Sequence, residues 1–128
     1  MGNGIPTPHG RGDFIDRGDL ASYDFTTPNF ITDGNEHELD LSTIVPPGVA
    51  AVLLGTSVYD ETPDVFMTFK KKGNQNNINI ALTGIVVKNV QTYLDLICPI
   101  GEDRTLIYKA TNTTWTWIYV YVKGWWLK

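Results

Sequence analysis

The feature that most constrains the fold is a series of short apolar and β-branched runs, each ended by a cluster of Gly, Pro, Asn or Asp. Several runs alternate polar and apolar residues, which is the period of a half-buried strand, and no segment keeps a helical period over ten or more residues. The sequence therefore predicts an all-β sandwich or barrel of about eight antiparallel strands. The predicted strands cover residues 37–41, 50–58, 65–70, 78–82, 90–97, 105–109 and 114–122, with weaker alternation at 23–25 and 30–31.

Length and charge limit the class of protein further. A chain of 128 residues suits one domain with a sizeable core. Its net charge of −4 gives no positive field for nucleic acid or an anionic membrane, so neither is an expected partner. No segment approaches the ~20 apolar residues of a membrane-spanning helix, and no signal peptide is recognisable at the start. Charged residues make up 19% of the chain, below the roughly 25% of typical soluble domains, which predicts a surface partly covered by a neighbouring subunit.

The first 20 residues differ from the rest because they are rich in Gly, Pro, Asp and Arg. Such a composition buries too little apolar surface to offset chain entropy. We therefore predict a flexible N-terminal arm over residues 1–20 and a β-sandwich domain over residues 21–128. The arm is expected to become ordered when it docks on another surface, and the residues predicted to dock are Arg11, Asp13, Phe14, Arg17 and Asp19. Residues 11–13 match the Arg-Gly-Asp triplet that integrins recognise, but a triplet recurs by chance.

The last predicted strand has apolar residues on both faces. Its odd positions carry Trp115, Trp117, Tyr119 and Tyr121, and its even positions include Ile118, Val120 and Val122. A strand with one wet face would carry polar residues at alternate positions, so we expect both faces to be covered. The aliphatic face is expected to enter the core. The aromatic face then packs on the N-terminal segment, on another subunit or on a sugar, and Trp125 and Trp126 are expected to cap one end of the sandwich.

No arrangement of residues predicts catalysis or metal binding. The only cysteine, Cys98, lies in an apolar run, cannot form an intrachain disulfide and is expected to be a buried hydrophobe. His9 and His37 are isolated, and the acidic residues at 60–64 and 102–103 lack the spacing of a calcium loop. We therefore predict that the chain is not an enzyme and that it uses no metal and no cofactor.

Two segments resemble small jelly-roll proteins of tailed bacteriophages. Residues 35–52 contain the pattern LDLS-x-IVP-x-G before an apolar run, and residues 118–126 end in the pattern V-x-GWW. The resemblance covers the chain from about residue 33 to its C-terminus. It implies a jelly-roll β-sandwich in a virion protein, either a capsid decoration protein or a tail-tip or fibre component. It also implies a homotrimer or a similar oligomer, and it supplies no catalytic residues.

Two functions from different classes follow from these observations. In the first, the sandwich trimerises through the aromatic strand and the arm docks on capsid or tail proteins, in a virion assembled in the host cytoplasm, where free thiols stay reduced. In the second, the chain is a carbohydrate- or receptor-binding module whose tryptophans stack on a glycan. A glycan-degrading enzyme is a third alternative, and it would require two convergent acids beside a cleft.

Overall fold

The computed structural model describes residues 10–128, so the predictions for residues 1–9, including that part of the arm and His9, lie outside the described residues. The predicted all-β fold is confirmed, with eight antiparallel strands and a single 3₁₀ turn, Thr27–Asn29, in the described part. The strands are β1 (Phe14–Asp16), β2 (Glu36–Asp40), β3 (Val49–Tyr59), β4 (Val65–Lys71), β5 (Ala81–Ile85), β6 (Thr92–Pro99), β7 (Thr105–Ala110) and β8 (Trp117–Leu127).

The strands form two sheets of four, which pack face to face as a sandwich. The first sheet has the order β1-β8-β3-β6 and the second has the order β2-β7-β4-β5. Alternate residues of each strand point between the sheets, as the period of a strand requires. Val52, Leu54 and Val58 of β3 and Met67 and Phe69 of β4 are fully buried there. The core therefore lies between the two sheets, and each sheet has one outer face.

Two strands continue through glycines that were expected to end them. Strand β5 begins at Ala81 and contains Gly84, and β8 continues through Gly124. A Cβ at Gly84 would lie 2.5 Å from the carbonyl oxygen of Val65, and one at Gly124 would lie 2.4 Å from that of Ile15. Both glycines thus permit a close approach of backbone, a role that glycine often has inside strands.

The N-terminal segment differs from the prediction of an arm that extends through residue 20. Residues 14–16 form β1 and pair with residues 124–126 of β8. The amide of Gly12 donates to the carbonyl of Leu127 at 2.9 Å, and the amide of Arg17 donates to that of Lys123 at 2.9 Å. Composition alone was misleading because these contacts are made by the backbone, which every residue type carries. The described part of the segment therefore belongs to the domain.

The chain continues along the same edge of β8 after β1. Phe25 exchanges two backbone hydrogen bonds with Val120, each of 2.9 Å. The amide of Ile118 donates to the hydroxyl of Thr27 at 2.9 Å. Residues 12–27 thus supply hydrogen-bond partners along the edge of β8 that faces away from β3.

A carboxylate and a guanidinium hold the centre of this edge, where β8 has an extra residue, Lys123. Leu53 pairs with Gly124 and Leu54 with Val122, so Lys123 forms a β-bulge. The Asp24 carboxylate accepts from the Val122 amide at 2.8 Å and from Arg17 at 2.9 Å. Arg17 also donates to the carbonyl of Val122 at 3.2 Å. This pair, which we call the Asp24–Arg17 clamp, satisfies the backbone beside the bulge.

Candidate interaction surface

Stacked rings cover part of the outer face of the first sheet. We call them the aromatic band, and its members are Tyr23, Tyr59, Trp117, Tyr119 and Tyr121. The ring of Tyr59 stacks on Trp117 with centroids 4.5 Å apart, and that of Tyr23 stacks on Tyr119 at 4.6 Å. Trp117 and Tyr119 follow each other along β8 with centroids 6.1 Å apart. Because Tyr23 belongs to the N-terminal segment, that segment supplies part of the cover predicted for this face.

Gly55 of β3 gives the ring of Tyr121 its position. The two residues pair directly across the β3–β8 ladder. A Cβ at Gly55 would lie 2.3 Å from Cζ of Tyr121, so the ring lies over the glycine and covers the backbone of β3. Any side chain at position 55 would displace this end of the aromatic band.

The predicted set of aromatic residues is only partly brought together. Trp117, Tyr119 and Tyr121 share the outer face, as predicted, and each is half-buried. The prediction that Trp115 shares this face is wrong, because β8 begins only at Trp117. Trp115 lies in the core with 4% of its surface exposed, and its Nε1 donates to the carbonyl of Thr111 at 3.2 Å.

The bulge at Lys123 decides where the last two tryptophans point. Strict alternation from Trp117 would place Trp125 on the outer face, but the extra residue reverses the order. Trp125 packs against the core, and Trp126 lies on the outer face with its ring 4.9 Å from that of Phe14. The prediction that both cap an end of the sandwich is wrong, because both lie within β8.

The five residues predicted to dock do not form one surface. Phe14 and Arg17 are held by the domain through Trp126 and the Asp24–Arg17 clamp. Arg11 and Asp19 are exposed. The carboxylate of Asp13 accepts a backbone hydrogen bond at 2.7 Å within the turn that contains the Arg-Gly-Asp triplet.

The most exposed apolar residues of the first sheet lie on its edge strand. Tyr93 and Ile97 of β6 are 66% and 61% exposed, and the preceding loop presents the exposed Val86, Val87 and Val90. We call these five residues the β6 margin. The sequence predicted a strand here but named none of these residues as a site. Apolar residues stand at both odd and even positions of β6, which indicates that an apolar face of this strand could be exposed. The pattern does not show, however, which strand lies at the edge of a sheet.

The outer face of the second sheet is charged. It carries Glu36 and Glu38 of β2, Lys70 of β4 and Lys109 of β7. The ammonium of Lys70, whose side chain is only 4% exposed, lies 2.7 Å from a carboxylate oxygen of Glu36 and 3.0 Å from the amide oxygen of Asn77. The two outer faces therefore differ in polarity, because the face with the aromatic band, Tyr93 and Ile97 has few charged side chains, and two of these, Lys123 and Asp95, pair with each other.

The His, Cys, Asp and Glu side chains form no metal site within residues 10–128, because no group of three or more of them is placed to hold an ion. The carboxylate of Asp60 is buried and accepts from the hydroxyl of Thr116 at 3.2 Å. His37 lies 2.8 Å from Asp33, and mainly this hydrogen bond lowers the pKa of Asp33 to about 2. The absence of enzymatic activity stays a prediction.

The thiol of Cys98 is expected to be unreactive in the folded protein. The residue is buried, and burial raises the pKa of its thiol to about 12. Because the thiolate is the reactive form, a chromogenic thiol reagent at neutral pH should label the folded chain negligibly and the denatured chain fully. Labelling of the folded chain at the rate of an exposed thiol would contradict this burial.

The fold and its surfaces define an all-β sandwich with one largely uncharged and one charged outer face. The chain matches no protein-family model, and searches of the curated proteins and of the solved structures gave no match. From residue 10 onward the chain has no helix that is long and apolar enough to span a membrane.

Proposed function

We propose that the chain is a non-enzymatic structural protein of a bacteriophage virion, a capsid-decoration or tail-associated component that assembles as a homo-oligomer. The observation that carries the proposal is the difference between the two outer faces. Contiguous exposed apolar surface is characteristic of protein contacts, and aromatic residues are enriched there. The exposed Tyr93 and Ile97 and the half-buried aromatic band beside them provide such a surface, whereas the outer face of the second sheet carries the exposed charges of Glu36, Glu38 and Lys109.

The order of the strands supports a jelly roll. The first strand lies beside the last, the second beside the seventh, the third beside the sixth and the fourth beside the fifth. This is the order obtained when one long hairpin is wound into two facing sheets, as in jelly-roll proteins. The resemblance of residues 35–52 and 118–126 to phage jelly-roll proteins is in line with this order and is the reason for proposing a virion.

Attachment to capsid or tail proteins is proposed to use the segment before β1. Phe14 and Arg17 already contact the domain, so they are poor candidates for docking. Arg11, which lies within this segment, is exposed. A deletion of residues 1–20 would remove β1 together with the segment, whereas a deletion of residues 1–9 leaves every described contact of β1 in place.

Glycan or receptor binding is the second candidate. The observation in its favour is a cleft of about 350 Å³ beside the aromatic band, lined by Leu20, Ala21, Ser22, Tyr23 and Tyr121. A cleft of this volume is within the range of small-molecule sites. Against it, Tyr59 stacks on Trp117 and Tyr23 stacks on Tyr119, so part of the ring surface that a sugar would use is already occupied. The structural role is therefore the favoured one.

The virion assignment predicts where the protein is found. Antibodies against the purified chain are expected to label purified particles of the phage that encodes it, and its gene is expected to lie among capsid or tail genes. Particles that lack the chain would overturn the proposal.

A chain deleted of residues 1–9 is expected to fold and assemble but to lose binding to particles made without the protein. Saturable quenching of tryptophan fluorescence by a sugar would instead support the second candidate.

A further inference from the structure

The two edges of the first sheet are protected to different extents. At one edge, β1 and residues 17–27 cover β8. At the other edge, β6 pairs with β3 alone. Edge strands are usually short, charged, bulged or covered, since they would otherwise pair with another chain. Strand β6 has 8 residues, or about 26 Å at 3.3 Å per residue. It pairs without a register shift, and its one charged residue is Asp95.

Contacts with β3 show which backbone groups of β6 face outward. The amide of Ile100 donates to a β3 carbonyl at 3.0 Å, and the carbonyl of Leu94 accepts from a β3 hydroxyl at 2.9 Å. Backbone direction alternates along an antiparallel strand. The amides and carbonyls of Tyr93, Asp95 and Ile97 therefore point away from β3, and none of them has a hydrogen-bond partner in the described part of the chain.

The side chains of the same three residues lie on the outer face and carry little net charge. Tyr93 and Ile97 are exposed and apolar, and they flank Asp95. Lys123, on β8, reaches across β3 and places its ammonium 3.0 Å and 3.2 Å from the two carboxylate oxygens of Asp95. The one charge on the edge is thus paired within the chain, and it does not act as the unpaired charge that often protects an edge.

We propose that β6 pairs with β6 of a second copy of this chain, antiparallel and centred on Asp95. In this register Tyr93 lies opposite the partner's Ile97, an aromatic and β-branched pair of the kind that stabilises sheets. The two four-stranded sheets then form one continuous sheet of eight strands. This inference rests on the self-association in the proposed function. It is a twofold contact, so it predicts a dimer, whereas the resemblance implies a trimer or a similar oligomer.

A second copy is the partner that the edge fits best. An exposed antiparallel edge needs a partner strand whose outward amides and carbonyls have the same spacing. The edge of β6 in a second copy has this spacing because it is the same strand. Val90, which is exposed and lies two residues before β6, extends the contact beyond the end of the partner's β6.

The charges of Asp95 and Lys123 allow a separate test of the register between the two copies of β6. In the proposed pairing the two Asp95 carboxylates face each other, and like charges directly opposite destabilise a sheet. Each is bound to Lys123 of its own copy, which offsets the repulsion. Lys123→Ala is therefore expected to weaken the dimer although Lys123 lies two strands from the edge. Adding Asp95→Asn to Lys123→Ala should restore dimerisation, and a double variant as weak as Lys123→Ala alone would contradict the register.

The main experiment is analytical ultracentrifugation of the full-length chain over a range of concentrations. The unaltered chain is expected to form dimers. Ile97→Lys places a charge on the edge, and Ile97→Pro removes an outward amide without breaking the ladder to β3, so each should raise the dimer Kd by at least about tenfold. The matched control is Ile31→Lys, since Ile31 is 54% exposed but lies outside β6, and it should leave the Kd unchanged. Thermal unfolding checks that each variant is folded.

The outcomes distinguish this inference from the proposed function. A chain that is monomeric at every concentration, that forms trimers, or whose dimers tolerate both Ile97 variants would overturn the β6 contact. Immunolabelling of virions does not depend on that result. Dimers that require β6, from a chain absent from particles, would instead overturn the virion role and support the contact.

Discussion

Replacing Trp115 with alanine is expected to lower the free energy of unfolding by about 3–5 kcal/mol, the range for deleting a large buried aromatic side chain. The side chain is almost fully buried in the core, and the change also leaves the carbonyl of Thr111 without the indole donor. Chemical denaturation followed by circular dichroism measures the loss. Trp115→Phe keeps most of the volume and removes the hydrogen bond, so it should cost about 1–2 kcal/mol.

The control for this prediction is Ile31→Ala. Ile31 is an exposed apolar residue outside β6, so the removal of its side chain should change the free energy of unfolding by less than about 0.5 kcal/mol. A loss below about 1 kcal/mol for Trp115→Ala, well short of the range for a buried aromatic, would mean that Trp115 is accessible after all. The original prediction of a contact or ligand-stacking role for this tryptophan would then be restored.

Replacing Asp24 with alanine is expected to cost about 3 kcal/mol, because it breaks a partly buried ion pair and removes a backbone acceptor at the same time. The change leaves the amide of Val122 without its partner and leaves Arg17 with only the carbonyl of Val122. Residues 12–27 should then lose protection from hydrogen exchange while the core strands keep theirs. Denaturation and residue-resolved exchange measure the two effects.

Two variants make the test of Asp24 specific. Asp19→Ala removes an exposed carboxylate from the same segment and should change stability by less than about 0.5 kcal/mol. Arg17→Ala combined with Asp24→Ala should cost less than the sum of the two single changes, because the residues share one interaction. Additive losses with unchanged exchange of residues 12–27 would show that the Asp24–Arg17 clamp does not hold the segment to β8.

The sequence was sufficient for the class of fold because apolar alternation is a local signal. Six of the seven predicted runs overlap a strand by most of their length, including residues 50–58 in β3 and 105–109 in β7. Strand β1 was missed because its three residues, in a polar segment, pair only with β8 more than 100 positions away. The ends of β5 and β8 were misplaced because Gly84 and Gly124 allow close packing where turns were predicted.

The interaction surface was less predictable than the fold. Alternation placed Trp117, Tyr119 and Tyr121 correctly on one face, because it is a local property of a strand. It could not have placed Trp125 and Trp126, since the bulge at Lys123 shifts the count by one and no periodicity reveals a bulge in advance. It also gave no reason to choose Tyr93 and Ile97. Their exposure follows from the place of β6 at the end of a sheet, which is a property of the whole topology.

The position of β8 determines when the domain can fold during synthesis. This strand is synthesised after the other seven, yet it lies between β1 and β3 in the finished sheet. While β8 is still inside the ribosome, β1 and β3 lack their common neighbour, and contacts between distant parts of a chain form slowly. The domain is therefore expected to fold only after β8 has emerged from the ribosome. A nascent chain that stops before Trp117 should remain open and prone to aggregation, and should not fold as a shortened sandwich.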